Sequence, residues 1–208
     1  VEAITIYDEY NTIHAVINYT YNANGYRTSK TITEGLNYKQ NTYDLLGSNV
    51  IHEEIYTVIN LVQATQDIYY TYDIDGTLVS FNLDSVDYFY INNIQGDIVA
   101  IVNQDGNVVV KYDYDSYGNI IQKNIDSGLE NVYKANAYTY RGYRYDLETG
   151  LYYLQSRYYN PEIGRFISSD GLLGQKGDIL STNMYAYCAN NPVMYIDPSG
   201  ESFTLVLV

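Results

Sequence analysis

The sequence predicts an all-β fold of consecutive β-hairpins that form a curved open sheet, a partial β-shell, ending in a distinct C-terminal cap. Three observations predict it. Tyrosine is in large excess, 28 Tyr against 4 Phe and no Trp. Glycines in turn-forming contexts recur from Gly25 to Gly118 at steps of 22, 29, 20, 10 and 12 residues. Between them run short β-branched segments such as Ile98-Val-Ala-Ile-Val102 and Asn107-Val-Val-Val-Lys111.

Tyrosine suits a pleated, half-buried surface, where its ring packs and its hydroxyl stays wet, so most of these rings are expected to pair across strands. The repeating unit is an aromatic pair, then Asp or Asn, then Gly. It reads as Tyr19-Thr-Tyr-Asn-Ala-Asn-Gly25, Tyr43-Asp-Leu-Leu-Gly47, Tyr70-Thr-Tyr-Asp-Ile-Asp-Gly76 and Tyr112-Asp-Tyr-Asp-Ser-Tyr-Gly118, with looser copies ending at Gly96 and Gly106. Asp-Gly and Asn-Gly pairs accept positive φ and close tight turns, so a unit near 20 residues with a turn in its middle is one hairpin. One hairpin alone is marginal in water, whereas stacked hairpins bury a common face. Residues 49–66 are the least repeat-like and read as strand from their β-branched content. Asp126-Ser-Gly128, the short motif of pepsin-like proteases, reads as a turn between hairpins. Asp73-Ile-Asp-Gly76 invites calcium, but the loop pattern requires an acid where Asn82 stands, so turn chemistry accounts for it.

Composition excludes several classes of function. With 11 basic and 25 acidic side chains the net charge is −14, which argues against nucleic acid or an anionic membrane as partner. A single cysteine, Cys188, excludes an intrachain disulfide framework. His14 and His52 stand far apart with no cysteine nearby, so neither a zinc site nor any cofactor is expected. No apolar run reaches spanning length, so no membrane span is expected. Val1 follows no initiator methionine, and the chain reads as a piece of a longer array.

From Ala137 the character changes. Residues 138–146 and 150–159 read as a hairpin joined at Leu147-Glu-Thr-Gly150, and Asn160-Pro161 ends the second strand. Residues 183–192 read as a short helix stopped by Asn-Asn-Pro. Asp197-Pro-Ser-Gly200 is a turn, and residues 201–208 are apolar and extended.

These residues carry a resemblance. The Tyr72-Asp-x-x-Gly76 units look like YD repeats. The run from Arg141-Gly-Tyr-Arg-Tyr-Asp146 through Gly150-Leu-Tyr-Tyr-Leu-Gln-Ser-Arg-Tyr-Tyr-Asn-Pro161 to Gly164-Arg-Phe-Ile-Ser-Ser-Asp170 strongly resembles the core module of Rhs proteins, the YD-repeat proteins. Asn183-x-Tyr-Ala-Tyr-Cys188 and Asp197-Pro-Ser-Gly200 complete it. The wording is closest to wall-associated forms of Gram-positive bacteria. The resemblance implies three segments: degenerate YD-repeat hairpins over 1–136, the Rhs repeat-associated core over 137–200, and a tail or the start of a variable region over 201–208. It implies a bacterial, secreted or cell-surface protein whose upstream YD repeats build a shell. That shell encloses a variable toxin, in cis at the C-terminal end, for delivery to a competing cell or a host.

In some members of the family the core cuts itself with paired aspartates just after the Asp-Pro-x-Gly motif. Carried onto this chain, the resemblance makes Asp170 and Asp197 those aspartates and Arg157 their polar partner. Two close carboxylates cannot both ionise, so one holds a proton while the other activates water, and an arginine steadies charge on the scissile carbonyl. Active members usually carry Leu or Met after the glycine, and here the residue is Glu201. Taken singly, Arg157 reads as a stacked or paired strand residue, Asp170 as a cap and Asp197 as turn chemistry. Three functions therefore stand: a structural shell segment and cap, an aspartyl self-protease cutting near Gly200–Glu201, and a surface that binds cell-wall glycan through exposed tyrosines.

Overall fold

The computed structural model describes residues 1–170 and 183–206. Eleven strands stand in sequence order in one open antiparallel sheet. They are β1 (Ala3–Tyr7), β2 (Ile13–Tyr21), β3 (Arg27–Glu34), β4 (Asn37–Leu46), β5 (Asn49–Ile59), β6 (Val62–Tyr72), β7 (Leu78–Leu83), β8 (Val86–Asn92), β9 (Ile98–Asn103), β10 (Val108–Tyr114) and β11 (Ile120–Ile125). The chain divides into two compact units, residues 1–87 and 88–208.

The YD repeat has a physical basis in both units. At Asp73, the side-chain Oδ1 accepts the backbone N–H of Asp75 and of Thr77, at 3.0 and 2.8 Å. Gly76 N–H donates to Asp73 O at 3.1 Å, and Gly76 takes φ +80°. Asn22, Asn93, Asn103 and Asp115 close their turns in the same pattern. The carboxylate thus serves its own backbone, as turn chemistry requires. The sheet register shifts at the tyrosine just before the Asp or Asn of the turn, at Tyr21, Tyr72 and Tyr114. From that bulge the ring reaches back along the array. Tyr72 Oη donates to Val50 O at 2.9 Å and Tyr114 Oη to Ile98 O at 2.7 Å.

Some expectations are corrected. Asp8 to Thr12 is a further copy of the turn, with Asn11 at φ +60° in the place of glycine. The copy at Tyr43 is not one, because Asp44 lies inside β4 and meets His52 instead. Residues 49–66 are strand, as expected, but fold back at Asn60-Leu61, both at positive φ, into β5 and β6. Fourteen of the 28 tyrosines are buried, so many rings expected to keep a wet hydroxyl instead bond it inside the protein, Tyr140, Tyr152 and Tyr159 to backbone carbonyls and Tyr70 and Tyr90 to side chains.

In the first unit the core face carries Ile17, Tyr19, Tyr43, Ile68, Tyr70 and Phe81. Buried Glu53 accepts hydrogen bonds from Asn41 Nδ2 at 2.6 Å and Tyr70 Oη at 2.9 Å. The Arg27 guanidinium lies over the rings of both Tyr19 and Tyr43. On the other face His52 bridges two carboxylates, Asp44 Oδ2 at 2.9 Å and Asp67 Oδ1 at 2.8 Å, and stacks on Tyr69.

In the second unit, β8 to β11 are followed by the Asp126–Gly128 turn. A short helix, α1 (Glu130–Ala135), then buries Val132 and Ala135, and the sequence reading did not include it. A four-stranded sheet follows, made of β12 (Arg144–Asp146), β13 (Leu151–Leu154), β14 (Arg157–Asn160) and β15 (Arg165–Phe166). The expected single strand over 150–159 is therefore two strands, folded at Gln155-Ser156 with Gln155 at φ +61°. The expected helix over 183–192 is instead one tight turn at Cys188–Asn190. Its three residues all have positive φ, from +49° to +61°, a left-handed turn without glycine. Strands β16 (Tyr195–Ile196) and β17 (Thr204–Leu205) pair, so the expected extended tail is strand at Thr204–Leu205, and its last two residues lie outside the described residues.

Three tyrosines fix this sheet to the preceding array. Tyr140, Tyr159 and Tyr152 donate to the consecutive carbonyls of Ser116, Tyr117 and Gly118 at 2.7–2.8 Å. A Cβ on Gly118 would stand 2.5 Å from the Tyr140 ring, so glycine is required there for room as well as for its φ of +91°. Arg141, buried at φ +55°, donates to Gln95 O and Pro192 O at 2.7 and 2.6 Å and pairs with Asp97. No helix among the described residues is long and apolar enough to cross a membrane.

Candidate functional site at Arg157

Hairpin β13–β14 carries Arg157 at its head, opposite Leu154. Around it lies a core of Tyr143, Tyr152, Leu154, Tyr159, Phe166, Tyr187 and Cys188. Arg157 is buried, with its guanidinium carbon 3.7 Å from the centre of the Phe166 ring. A planar guanidinium stacked this way keeps its donors in plane and free for partners at its rim. Nη1 donates to Met184 O at 3.1 Å. Nη2 contacts Asp170 Oδ2 at 3.1 Å and Asp197 Oδ2 at 3.5 Å. Nε donates to the carbonyl oxygen of Gly200.

The three residues singled out by sequence therefore meet, with both carboxylates on one guanidinium nitrogen. The neighbouring backbone explains how. After β15, Phe166 N–H donates to Tyr185 O at 3.0 Å and Asp170 N–H to Met184 O at 2.9 Å. This run brings Asp170 beside the carbonyl that also holds Arg157. Asp197 enters from the other side, 2 % exposed. Its own N–H donates to Tyr143 Oη at 3.1 Å, and Tyr143 Oη lies 3.1 Å from Tyr187 Oη. Its Oδ1 accepts Gly200 N–H at 2.9 Å, and the Ser199 and Ser202 amides, turned toward the carboxylate, favour its charged form.

Burial dominates the electrostatics. It raises the Asp197 carboxyl above its ordinary value, against the opposing pull of Arg157 and the three amides. It also lowers the Arg157 guanidinium, against the charges of Asp170, Asp197 and Glu201. The Gly200 carbonyl belongs to the Gly200–Glu201 peptide. A charged donor on that oxygen is the arrangement that would stabilise a developing oxyanion, while the two carboxylates share the same guanidinium. The same contacts also hold the turn mechanically.

Sequence reading missed two groups near this site. Ser156 donates from both its N–H and its Oγ to Ser199 O, at 3.1 and 2.7 Å. Gly200 takes φ +75°, and a Cβ there would lie 2.7 Å from both Leu154 O and Ser156 Oγ. The glycine of the Asp-Pro-Ser-Gly turn was legible as a turn residue. Its close approach to the hairpin was not, because that contact spans more than forty residues. Among the described residues no group of His, Cys, Asp or Glu is arranged to hold a metal.

Comparison with known proteins agrees with this architecture. The chain is 40% identical over 190 residues to the tRNA3(Ser)-specific nuclease WapA of Bacillus spizizenii, covering 91% of this chain and 8% of that protein. It is 42% identical over 190 residues to the tRNA nuclease WapA of Bacillus subtilis, with the same coverage. Over 69 residues it is 44% identical to the toxin protein Tse5 of Pseudomonas aeruginosa, covering 33% of this chain and 5% of that one. The chain thus spans less than a tenth of the length of these relatives. The solved TcdB2-TccC3-Cdc42 structure superposes with a TM-score of 0.77 at 20% identity, over 96% of this chain and 10% of that one, which shows a shared fold. Residues 68–193 match the family model for the teneurin YD-shell. With its bulged tyrosines, acid-capped turns and core motif, the chain belongs to the teneurin YD-shell family, among the Rhs and YD-repeat proteins.

Proposed function

We propose that this chain is a shell segment and cap of a secreted or cell-surface bacterial YD-repeat toxin or wall-associated protein. In this reading residues 1–136 supply wall hairpins joined to further YD repeats upstream. Residues 137–200 form the cap, and residues 201–208 begin a variable toxin segment held in cis. The observation that carries it is the fastening of the Asp197–Gly200 turn onto the β13–β14 hairpin through Arg157. That contact presents the onward chain from a fixed point. The similarity to proteins named as tRNA nucleases and as a toxin supports a toxic cargo.

The second reading is self-cleavage at Gly200–Glu201, and a specific observation favours it. The guanidinium that holds both carboxylates also donates to the Gly200 carbonyl. In this reading Arg157 polarises that carbonyl. Asp197, whose burial favours its protonated form, holds the proton. Asp170, the more exposed of the two, accepts one from the attacking water. The test is intact mass of the full chain with its natural flanking sequence, beside Asp170→Asn and Asp197→Asn variants. A split after Gly200 in the parent, absent from both variants, establishes self-cleavage. A single uncut mass in all three leaves Arg157 and its aspartates as a fastening.

A further inference from the structure

Register is the problem that the Gly200 carbonyl poses. A slip of one residue would carry a different peptide past the guanidinium. The Arg157 guanidinium would then face the carbonyl of Ser199 or Glu201. What prevents the slip is local. The Asp197 carboxylate accepts the Gly200 N–H, with the amides of Ser199 and Ser202 turned toward it. Ser199 O, the carbonyl just before the one on Arg157, is gripped from the hairpin turn by two donors of a single residue, the N–H and Oγ of Ser156. Gly200 fits against the same turn only because it lacks a Cβ.

We propose that Ser156 is a positioning residue, fixing residues 199–201 in the register that sets the Gly200 carbonyl against Arg157. It touches neither the scissile carbonyl nor the aspartates, and it acts through Ser199. For its chemistry the proposal rests on the self-cleavage reading. There, water oxygen adds to the Gly200 carbonyl carbon and the bond to the Glu201 nitrogen breaks. The carboxylate stays on Gly200, and the amine, taking a proton from water, leaves with Glu201. Ser156 determines which bond is so treated. Its side chain is exposed, so its removal leaves the core of the hairpin intact.

The experiment uses the full chain with its natural flanking sequence and two readouts. In the parent background, Ser156→Ala is expected to slow self-cleavage about five- to tenfold, the effect of losing one hydrogen bond. It is also expected to spread the cut masses over bonds next to Gly200–Glu201, while the unfolding midpoint stays at the parent value. Ser156→Thr, which keeps the hydroxyl, restores rate and position. In an uncleavable Asp170→Asn background, Ser156→Ala is expected to speed amide exchange of Gly200 and Ser202 about tenfold, and Ser156→Thr is not. Unchanged exchange in Ser156→Ala overturns the proposal, whatever happens to cleavage. Faster exchange with an uncut parent upholds the positioning role and overturns self-cleavage alone.

Discussion

His52 shows how much one side chain does on this sheet. Burial disfavours its charge, but hydrogen bonds to Asp44 and Asp67 outweigh that, and its pKa is raised above 6.5. A histidine raised on folding contributes its full stabilisation below its unfolded value near 6.5 and loses it as pH rises through the higher folded value. The expected outcome is a ring titration by NMR with a midpoint above 6.5, and a fall in stability across the window just above that pH. Asp67→Asn brings the midpoint down and flattens the fall. A midpoint at or below 6.5 in the parent would contradict the bridge. Sequence reading set His52 aside as a surface or strand histidine once zinc was discounted. It is a strand residue, but its two carboxylates come from neighbouring strands, and only register puts them there.

At the scale of the element, the acid-capped turn is the recurrent device. Asp73→Ala removes an acceptor for two backbone N–H groups and is expected to cost about 1 kcal/mol, while Asp73→Asn is close to neutral because Asn22, Asn93 and Asn103 already serve this way. Urea unfolding of the three proteins checks both. The hairpins were legible because this chemistry is local, with acid, glycine and aromatic within a few residues of one another. The copy at Asp8 escaped because Asn11 does the work of glycine. The copy at Asp44 misled because the same letters at the same spacing lie within a strand that runs on to Leu46 and turns only at Gly47-Ser48. The break at Gln155-Ser156 was illegible for a related reason. Gln155 takes a left-handed φ with no glycine to announce it. The candidate site was legible as a set of residue types through a resemblance, whereas the hairpin that clamps it was not.

At the scale of the molecule, the tyrosines set the alkaline limit. Burial pushes Tyr140 up to about 12 and holds Tyr112, Tyr114, Tyr143, Tyr152, Tyr159 and Tyr187 further above their ordinary value. Above pH 10 the unfolded chain releases protons that the folded second unit retains, so stability falls as pH rises, by about 1.4 kcal/mol per unit for each such tyrosine. The expected outcome is cooperative loss of structure above pH 10, with phenolate absorbance rising in step with the loss of β-sheet circular dichroism. Phenolate absorbance that rises fully while the sheet persists would show these hydroxyls to be accessible.

The grip of Tyr140, Tyr152 and Tyr159 on Ser116, Tyr117 and Gly118 has a consequence of another kind. All three hydroxyls bond backbone carbonyls, which every residue possesses. These three bonds therefore read the path of the turn and the bareness of one glycine, whereas Arg141 on Asp97 and Asn136 between Tyr90 and Tyr112 read particular side chains of the array. A hairpin that kept this loop, this glycine and those few side chains would offer the module the same seat, whatever stood at its other positions.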